Sequence, residues 1–230
     1  MKKITTTLFS SLLCVIHTAA QAQSFVLRKS TDLFDVTVEV QCQQSSCHGP
    51  ATITLYEKGT QKVIQQFESD DLALHLNKSS ASSMTDLPLP AEQNALIFKD
   101  FDFDGREDIA IKNGNTGAYG GPTYDIYVFN DQWGKFVYNE ALSMLTNAEL
   151  GMFELDHHQK RIIAFSQSGC CYHVRTEYSI RPGQELLLVR ELIEDTNSSK
   201  NNKVKVTHRV LVDGQWKQSV KYYPLLKYYQ

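Results

Sequence analysis

The sequence predicts an all-β fold: a single domain of about 11–12 short antiparallel strands, propeller-like or sandwich-like, with at most one short helix. Three observations predict it. Apolar and polar residues alternate in run after run, as where Phe34, Val36, Val38 and Val40 interleave with Asp35, Thr37 and Glu39, the period of a strand with one buried face. Turn residues punctuate the chain at short intervals, at Lys58-Gly59-Thr60, Asn130 to Gly134 and Asp213-Gly214, as hairpins require. The 11 Tyr and 11 Phe suit pleated, half-buried surfaces,.

At the start of the chain, Lys2-Lys3, the apolar run Leu8 to Ile16 and Ala20-Gln21-Ala22 together read as a cleaved signal peptide over 1–22,. The apolar run is too short to span a bilayer. The expected location is therefore the periplasm, with no membrane insertion, and residues 23–230 form the all-β domain. Removing Lys2 and Lys3 takes the formal charge from −3 to −5. A mildly acidic chain with no basic run argues against nucleic acid and against anionic membrane as partners.

Export makes disulfides the expected state of Cys42, Cys47, Cys170 and Cys171,. One pairing is Cys42 with Cys47 and Cys170 with Cys171; cross-pairing between the two sites is the alternative. Neither pair has the Cys-x-x-Cys spacing of a zinc site.

The hairpin Ile53 to Phe67 follows the first clear strand, and a polar, serine-rich stretch, Asn77 to Asp86, reads as a long surface loop,. Then comes Asp100-Phe101-Asp102-Phe103-Asp104-Gly105-Arg106-Glu107-Asp108 between the apolar runs Leu96-Ile97-Phe98 and Ile109-Ala110-Ile111. Carboxylates at positions 1, 3, 5 and 9 with a glycine at 6 are what a calcium ion requires. The carbonyl of Arg106 would face inward and Asp108 would close the shell. Phe101 and Phe103 alternate with the acids and would anchor the loop in a core. It is not an EF-hand, because Ile111 stands at position 12 and the flanks read as strands. Calcium is thus expected as a staple of a β protein.

Asn113 to Pro122 holds four glycines and a proline, a loop needing positive φ or close backbone approach, either as a long turn between strands or as a loop shaped to present Tyr119 or Tyr124. Glu140 to Leu150 is the one expected helix. His157 and His158 read as a solvated turn, since on a strand they would face opposite ways. Beyond Ser168-Gly169-Cys170-Cys171-Tyr172-His173, further strands run to Trp216 and past it.

Catalytic signatures are missing: there is no G-x-S-x-G elbow, no P-loop and no H-E-x-x-H,. The clustered acids are better explained as metal ligands than as a glycosidase pair, since a general acid must hold its proton. Cys170 or Cys171 with His173 imitates a thiol nucleophile, yet neighbouring cysteines in an exported chain are expected to be oxidised. The chain is read as a non-enzyme.

The signal peptide, the single calcium loop followed by Gly120-Gly121-Pro122-Thr123-Tyr124-Asp125-Ile126-Tyr127, and Ser168-Gly169-Cys170-Cys171-Tyr172-His173 resemble a known family. It is that of periplasmic immunity proteins against lysozyme-like peptidoglycan-hydrolase effectors of type IV secretion systems, similar in turn to periplasmic inhibitors of invertebrate-type lysozyme. The motifs cover roughly the central third of the chain, and Ser168, Gly169 and Tyr172 match the S-G-x-x-Y element of lysozyme inhibitors. The resemblance implies a calcium-binding, mostly β domain that blocks a peptidoglycan hydrolase by pushing a loop into its cleft. Ser168, Tyr172 and His173 would carry that role, with Tyr119, Gly120, Gly121, Pro122 and Tyr124 beside them. The runner-up reading is a calcium-stapled envelope protein binding glycan or a protein partner, and the third is an exported hydrolase.

Overall fold

The computed structural model describes residues 22–27, 31–43, 46–75, 94–180, 185–197 and 202–229. Residues 1–21 of the expected 1–22 signal peptide and the serine-rich stretch 77–86 lie outside the described residues. Among the described residues, fourteen strands form three antiparallel sheets, each a meander of consecutive strands. The first holds β1 (Ala22–Leu27), β2 (Phe34–Gln43), β3 (Ser46–Glu57) and β4 (Val63–His75). The second holds β5 (Leu96–Lys99), β6 (Asp108–Lys112), β7 (Tyr124–Asn130) and β8 (Lys135–Tyr138). The third runs from β9 (Glu154–Asp156), β10 (Arg161–Gln167) and β11 (Tyr172–Ser179) through β12 (Leu187–Asp195) and β13 (Lys203–Val212) to β14 (Gln215–Pro224). The all-β expectation holds; the extra strands come mainly from short segments such as β9, too brief to show a period.

The second sheet is the middle layer, and strand periodicity explains how. Side chains alternate between faces. Ile109 and Ile111 of β6, with Leu96, Phe98, Tyr127 and Phe129, join a first core built with Val36, Val38, Ile53, Leu55 and Phe67 of the first sheet. Ala110 of the same strand, with Ile97, Tyr124 and Ile126, faces a second core shared with Phe153, Ile162 and Ala164 toward the third sheet. Residues Asp108 to Ile111 are all buried. That is why the run Ile109-Ala110-Ile111 lacks alternation: neither face meets water. Each of the two isoleucines contributes roughly 1.5–3 kcal/mol by leaving water.

Polar side chains join the first two layers. Gln65 on β4 donates from Nε2 to the Phe136 carbonyl and accepts the Phe136 N–H at Oε1, both at 2.9 Å. The amide thus substitutes for a strand partner beside β8. Asn113 Oδ1 accepts the N–H of Asp70 and Asp71 in the same way.

Helix α1 (Glu140–Ala148) starts at Asn139, whose side chain accepts the Leu142 N–H, the standard N-cap arrangement. Leu142 and Leu145 enter the second core, while Leu150 lies beyond the helix and is 37% exposed. Strand β8 pairs only with Tyr127 to Asn130, so the start of β7 lacks a strand on that side. Ser143 Oγ accepts the Ile126 N–H at 2.8 Å and Thr146 Oγ1 the Tyr124 N–H at 3.0 Å, and the helix closes that edge. A final turn, α2 (Leu225–Tyr228), packs on β13 and β14.

Candidate functional site

The acidic loop joins β5 to β6, whose ends pair at Lys99 and Asp108. As the alternation predicts, Phe101 and Phe103 are buried in the second core, Phe101 edge-on to Phe153. Phe103 and Gly105 take positive φ of 62° and 92°, and these are the sharp turns of the loop. Asp100 accepts the N–H of Asp104 at Oδ1 and of Gly105 at Oδ2, and Asp102 also accepts the Asp104 N–H. Asp108 is fully buried and fixed at both oxygens: Oδ2 accepts the Phe101 N–H at 2.7 Å and Oδ1 the Phe129 N–H at 2.9 Å.

Asp100, Asp102 and Asp108 each bring an oxygen to within 4.8 Å of the others. Asp104, exposed, lies outside that trio and accepts the Arg106 N–H. The Arg106 side chain turns away to Asp131 at 2.6 Å and over the Phe129 ring. Burial pushes the Asp108 carboxyl up to about 7 against the two N–H bonds that favour its anion, and burial with Asp104 repulsion pushes Asp102 up to about 6. An all-oxygen set of desolvated carboxylates fits a hard cation, which would offset both the burial cost and the repulsion. Glu107, outside the ligand pattern, accepts a hydrogen bond from the Thr31 hydroxyl and so links the loop to the segment entering β2.

The glycine-rich loop after β6 is tight. A Cβ on Gly117 would stand 3.0 Å from the Gly121 carbonyl oxygen, and one on Gly121 3.1 Å from that of Ala118. Gly120 and Tyr119 both take positive φ, 73° and 56°. For tyrosine this is an uncommon backbone state that over-determined surroundings hold at functional loops. The Tyr119 ring projects outward, 66% exposed.

The second loop lies between β10 and β11. Ser168, Gly169 and Cys170 are exposed, and Cys171, Tyr172 and His173 half-buried. The disulfides are Cys42–Cys47 and Cys170–Cys171, so of the pairings open to the sequence the local one forms. The Ser168 N–H donates to the Tyr172 carbonyl, and the Cys171 carbonyl accepts both the N–H and the hydroxyl of Thr196. The Gly169 N–H donates to the Tyr119 hydroxyl at 2.8 Å. This bond brings the two loops singled out from the sequence onto one edge.

Tyr172 and His173, adjacent on β11, open on opposite faces of the third sheet. Tyr172 lines a groove of about 330 Å³ with Asp195, Lys205, Thr207 and Arg209. His173 lines a cavity of about 290 Å³ with Leu150, Phe165, Arg175 and Glu194, and its Nδ1 lies 3.9 Å from Glu194. Tyr124 departs from expectation. It is 1% exposed in the second core, with its hydroxyl donating to the Asn94 carbonyl, and it cannot touch a partner. Its even position on β7, shared with Ile126, turns it inward. Pro122 packs against Gly151 and shapes the loop from behind. His157 and His158 are exposed in a turn, as expected.

Sequence reasoning missed the buried Glu177, held between Arg175 and Arg190 on β11 and β12. It shares the polar phase of β11 with Arg175, a position that alternation alone places in water, and only the cross-strand register reveals the cluster. Thr196, which ties down Cys171, carries no sequence signal.

The fold and both loops define a mostly β protein with a candidate cation loop and an exposed two-loop edge. The chain is similar to a solved structure described as that of a Xanthomonas type IV secretion system related protein: 25% identity, TM-score 0.64, covering 85% of this chain and 92% of that one. No family model and no curated protein matches the chain. Among the described residues, no helix is long and apolar enough to cross a membrane.

Proposed function

We propose that this protein is a periplasmic immunity-type inhibitor, acting in a type IV secretion setting, that binds and blocks a lysozyme-like peptidoglycan hydrolase. It does so by inserting the Ser168–His173 turn, flanked by Tyr119, into the catalytic cleft. The likeness to a type IV secretion system related protein over most of both chains supports the setting. The observation that carries the reading is the Tyr119–Gly169 hydrogen bond, which ties an exposed aromatic ring to a disulfide-bridged turn. A wedge entering a cleft meets two walls, and Tyr172 and His173, lining opposite faces of the third sheet, would face one each. A lysozyme-type cleft holds a protonated acid and a carboxylate. The Ser168 hydroxyl and the His173 imidazole are suited to satisfy them.

Calcium belongs to the same reading as a structural ion. Asp100, Asp102 and Asp108 would hold it, with Asp104 and the Arg106 carbonyl at the loop positions that complete such sites,. Its charge would keep the buried carboxylates ionised and hold the β5–β6 turn closed. No turnover is assigned to the chain itself.

The test is lysis of cell walls by a lysozyme-like hydrolase in the presence of the purified protein. Suppression, weakened in Tyr172→Ala/His173→Ala with the fold intact, is expected. No suppression of any lysozyme class overturns the reading. The groove beside Tyr172, rimmed by polar groups of both signs, favours glycan binding as the second reading. Binding to isolated glycan strands without suppression of lysis would decide for it.

A further inference from the structure

The two disulfides share a chemistry and differ in surroundings. Cys42–Cys47 closes the β2–β3 hairpin inside the first core, with Cys47 at 0% and Cys42 at 8% exposure. Cys170–Cys171 bridges a single peptide bond at the tip of the β10–β11 turn, where Cys170 is exposed and Cys171 half-buried. Exchange requires a thiolate to reach a sulfur, so access decides which bond reacts.

We propose that Cys170–Cys171 is a thiol–disulfide exchange site whose state sets the shape of the docking edge, with an external dithiol as the reductant. One thiolate of the dithiol attacks Cys170 Sγ. A mixed disulfide forms as the Cys170–Cys171 bond breaks, and Cys171 leaves as a thiolate and takes up a proton. The second thiol of the reductant, deprotonated, then attacks its partner sulfur in the mixed disulfide, and Cys170 leaves in the same way. Two electrons and two protons pass to the cysteine pair while the dithiol becomes a disulfide.

The consequence for the loop follows from its ties. The bridge closes a small ring around the peptide bond between Cys170 and Cys171 and removes torsional freedom at both residues. Around it stand the Gly169–Tyr119, Ser168–Tyr172 and Thr196–Cys171 hydrogen bonds, each of modest net worth because water competes for the same groups. Ordering a residue's backbone costs conformational entropy comparable to what one such bond returns, so once the ring opens these bonds only just hold the turn. The oxidised turn is the rigid wedge and the reduced one a loosened loop. Control of hydrolase binding by this step rests on the inhibitor reading above; the exchange site itself does not.

The experiment treats the native protein with limiting dithiothreitol, alkylates thiols at intervals and maps them by peptide mass. Cys170 and Cys171 should be labelled at least about tenfold faster than Cys42 and Cys47, as thiolate access dictates. Equal rates, or earlier labelling of Cys42 and Cys47, overturn the site. Amide hydrogen exchange at Ser168 and Gly169 reads the loop with no partner present. It should quicken about tenfold both on selective reduction and in Cys170→Ser/Cys171→Ser, the signature of local opening; unchanged exchange overturns the change of shape. Inhibition of a lysozyme-like hydrolase should weaken about tenfold in the same two forms, because a pre-ordered loop loses less entropy on binding. Equal inhibition by oxidised and reduced protein overturns the control. If the oxidised protein inhibits no hydrolase, the inhibitor reading falls, while labelling and amide exchange still decide the exchange site.

Discussion

The Tyr119 hydroxyl accepts the Gly169 N–H at 2.8 Å across 50 residues of sequence, joining the loop after β6 to the turn between β10 and β11. Neither loop is held only by its own strand ends. Tyr119 adopts φ 56° and Gly169 φ 65°, so both partners sit in the left-handed region. The contact is what makes a strained tyrosine and a bridged turn one surface.

Tyr119→Phe tests that coupling. The ring stays and the acceptor goes, and because the Gly169 N–H lies at the surface, water can replace the lost partner. The cost should be near the net value of one hydrogen bond, about 1 kcal/mol. Inhibition of the hydrolase should weaken about fivefold while the melting temperature falls by no more than about 2–4 °C, read by titration calorimetry and a thermal scan. Equal affinity of variant and native protein would show that the bond does not organise the docking edge.

Chelation tests the acidic loop. A ligand present at a hundred times its dissociation constant stabilises the fold by about 2.7 kcal/mol, and at this chain length each kcal/mol moves the melting temperature by about 2–4 °C. Chelator should therefore lower the melting temperature by several degrees, calcium should restore it, and Asp102→Asn should abolish the response. A melting temperature indifferent to chelator would remove calcium from the account.

Much of this was legible in the sequence, for reasons that can be named. The alternation at Phe34 to Val40 gave β2, and Asp213-Gly214 gave the β13–β14 turn, where both residues do take positive φ, 52° and 75°. The acid–phenylalanine alternation gave a loop anchored by Phe101 and Phe103. The position of Tyr124 was not legible. Its run, Tyr124 to Phe129, is apolar on both phases but for Asp125, because the middle sheet is covered on both faces, and period-two reasoning needs one wet face to tell in from out. The edge shared by Tyr119 and Gly169 was also hidden, since a contact between distant loops leaves no local pattern.

Gln65 makes the bond between the first two layers testable. Its amide pairs with both the N–H and the carbonyl of buried Phe136. Gln65→Leu would leave those two backbone groups without partners at the cost of about 1–3 kcal/mol each for a buried polar group. Denaturant titration should show a fall of a few kcal/mol with an unchanged slope. A midpoint equal to the native one would mean the backbone there finds water, and that the layers are joined by apolar contacts alone.

Thr146 is the sharper case, because it is fully buried and does two jobs. Its Oγ1 accepts the Tyr124 N–H and donates to the Ser143 carbonyl, so one hydroxyl both closes the start of β7 and ties back into α1. Thr146→Val keeps the shape and removes the oxygen, leaving the Tyr124 N–H facing a methyl group at the helix–strand boundary. The penalty should be that of one unsatisfied buried donor, about 1–3 kcal/mol, whereas Thr146→Ser, which keeps the hydroxyl, should lose only the methyl packing, about 1 kcal/mol. Hydrogen exchange separates this from a general loss of stability: the Tyr124 amide should lose protection in the valine variant beyond the global shift, with Ile126, still bonded to Ser143, following the global value. If valine and serine variants prove equally stable, packing and not the hydrogen bond joins α1 to β7.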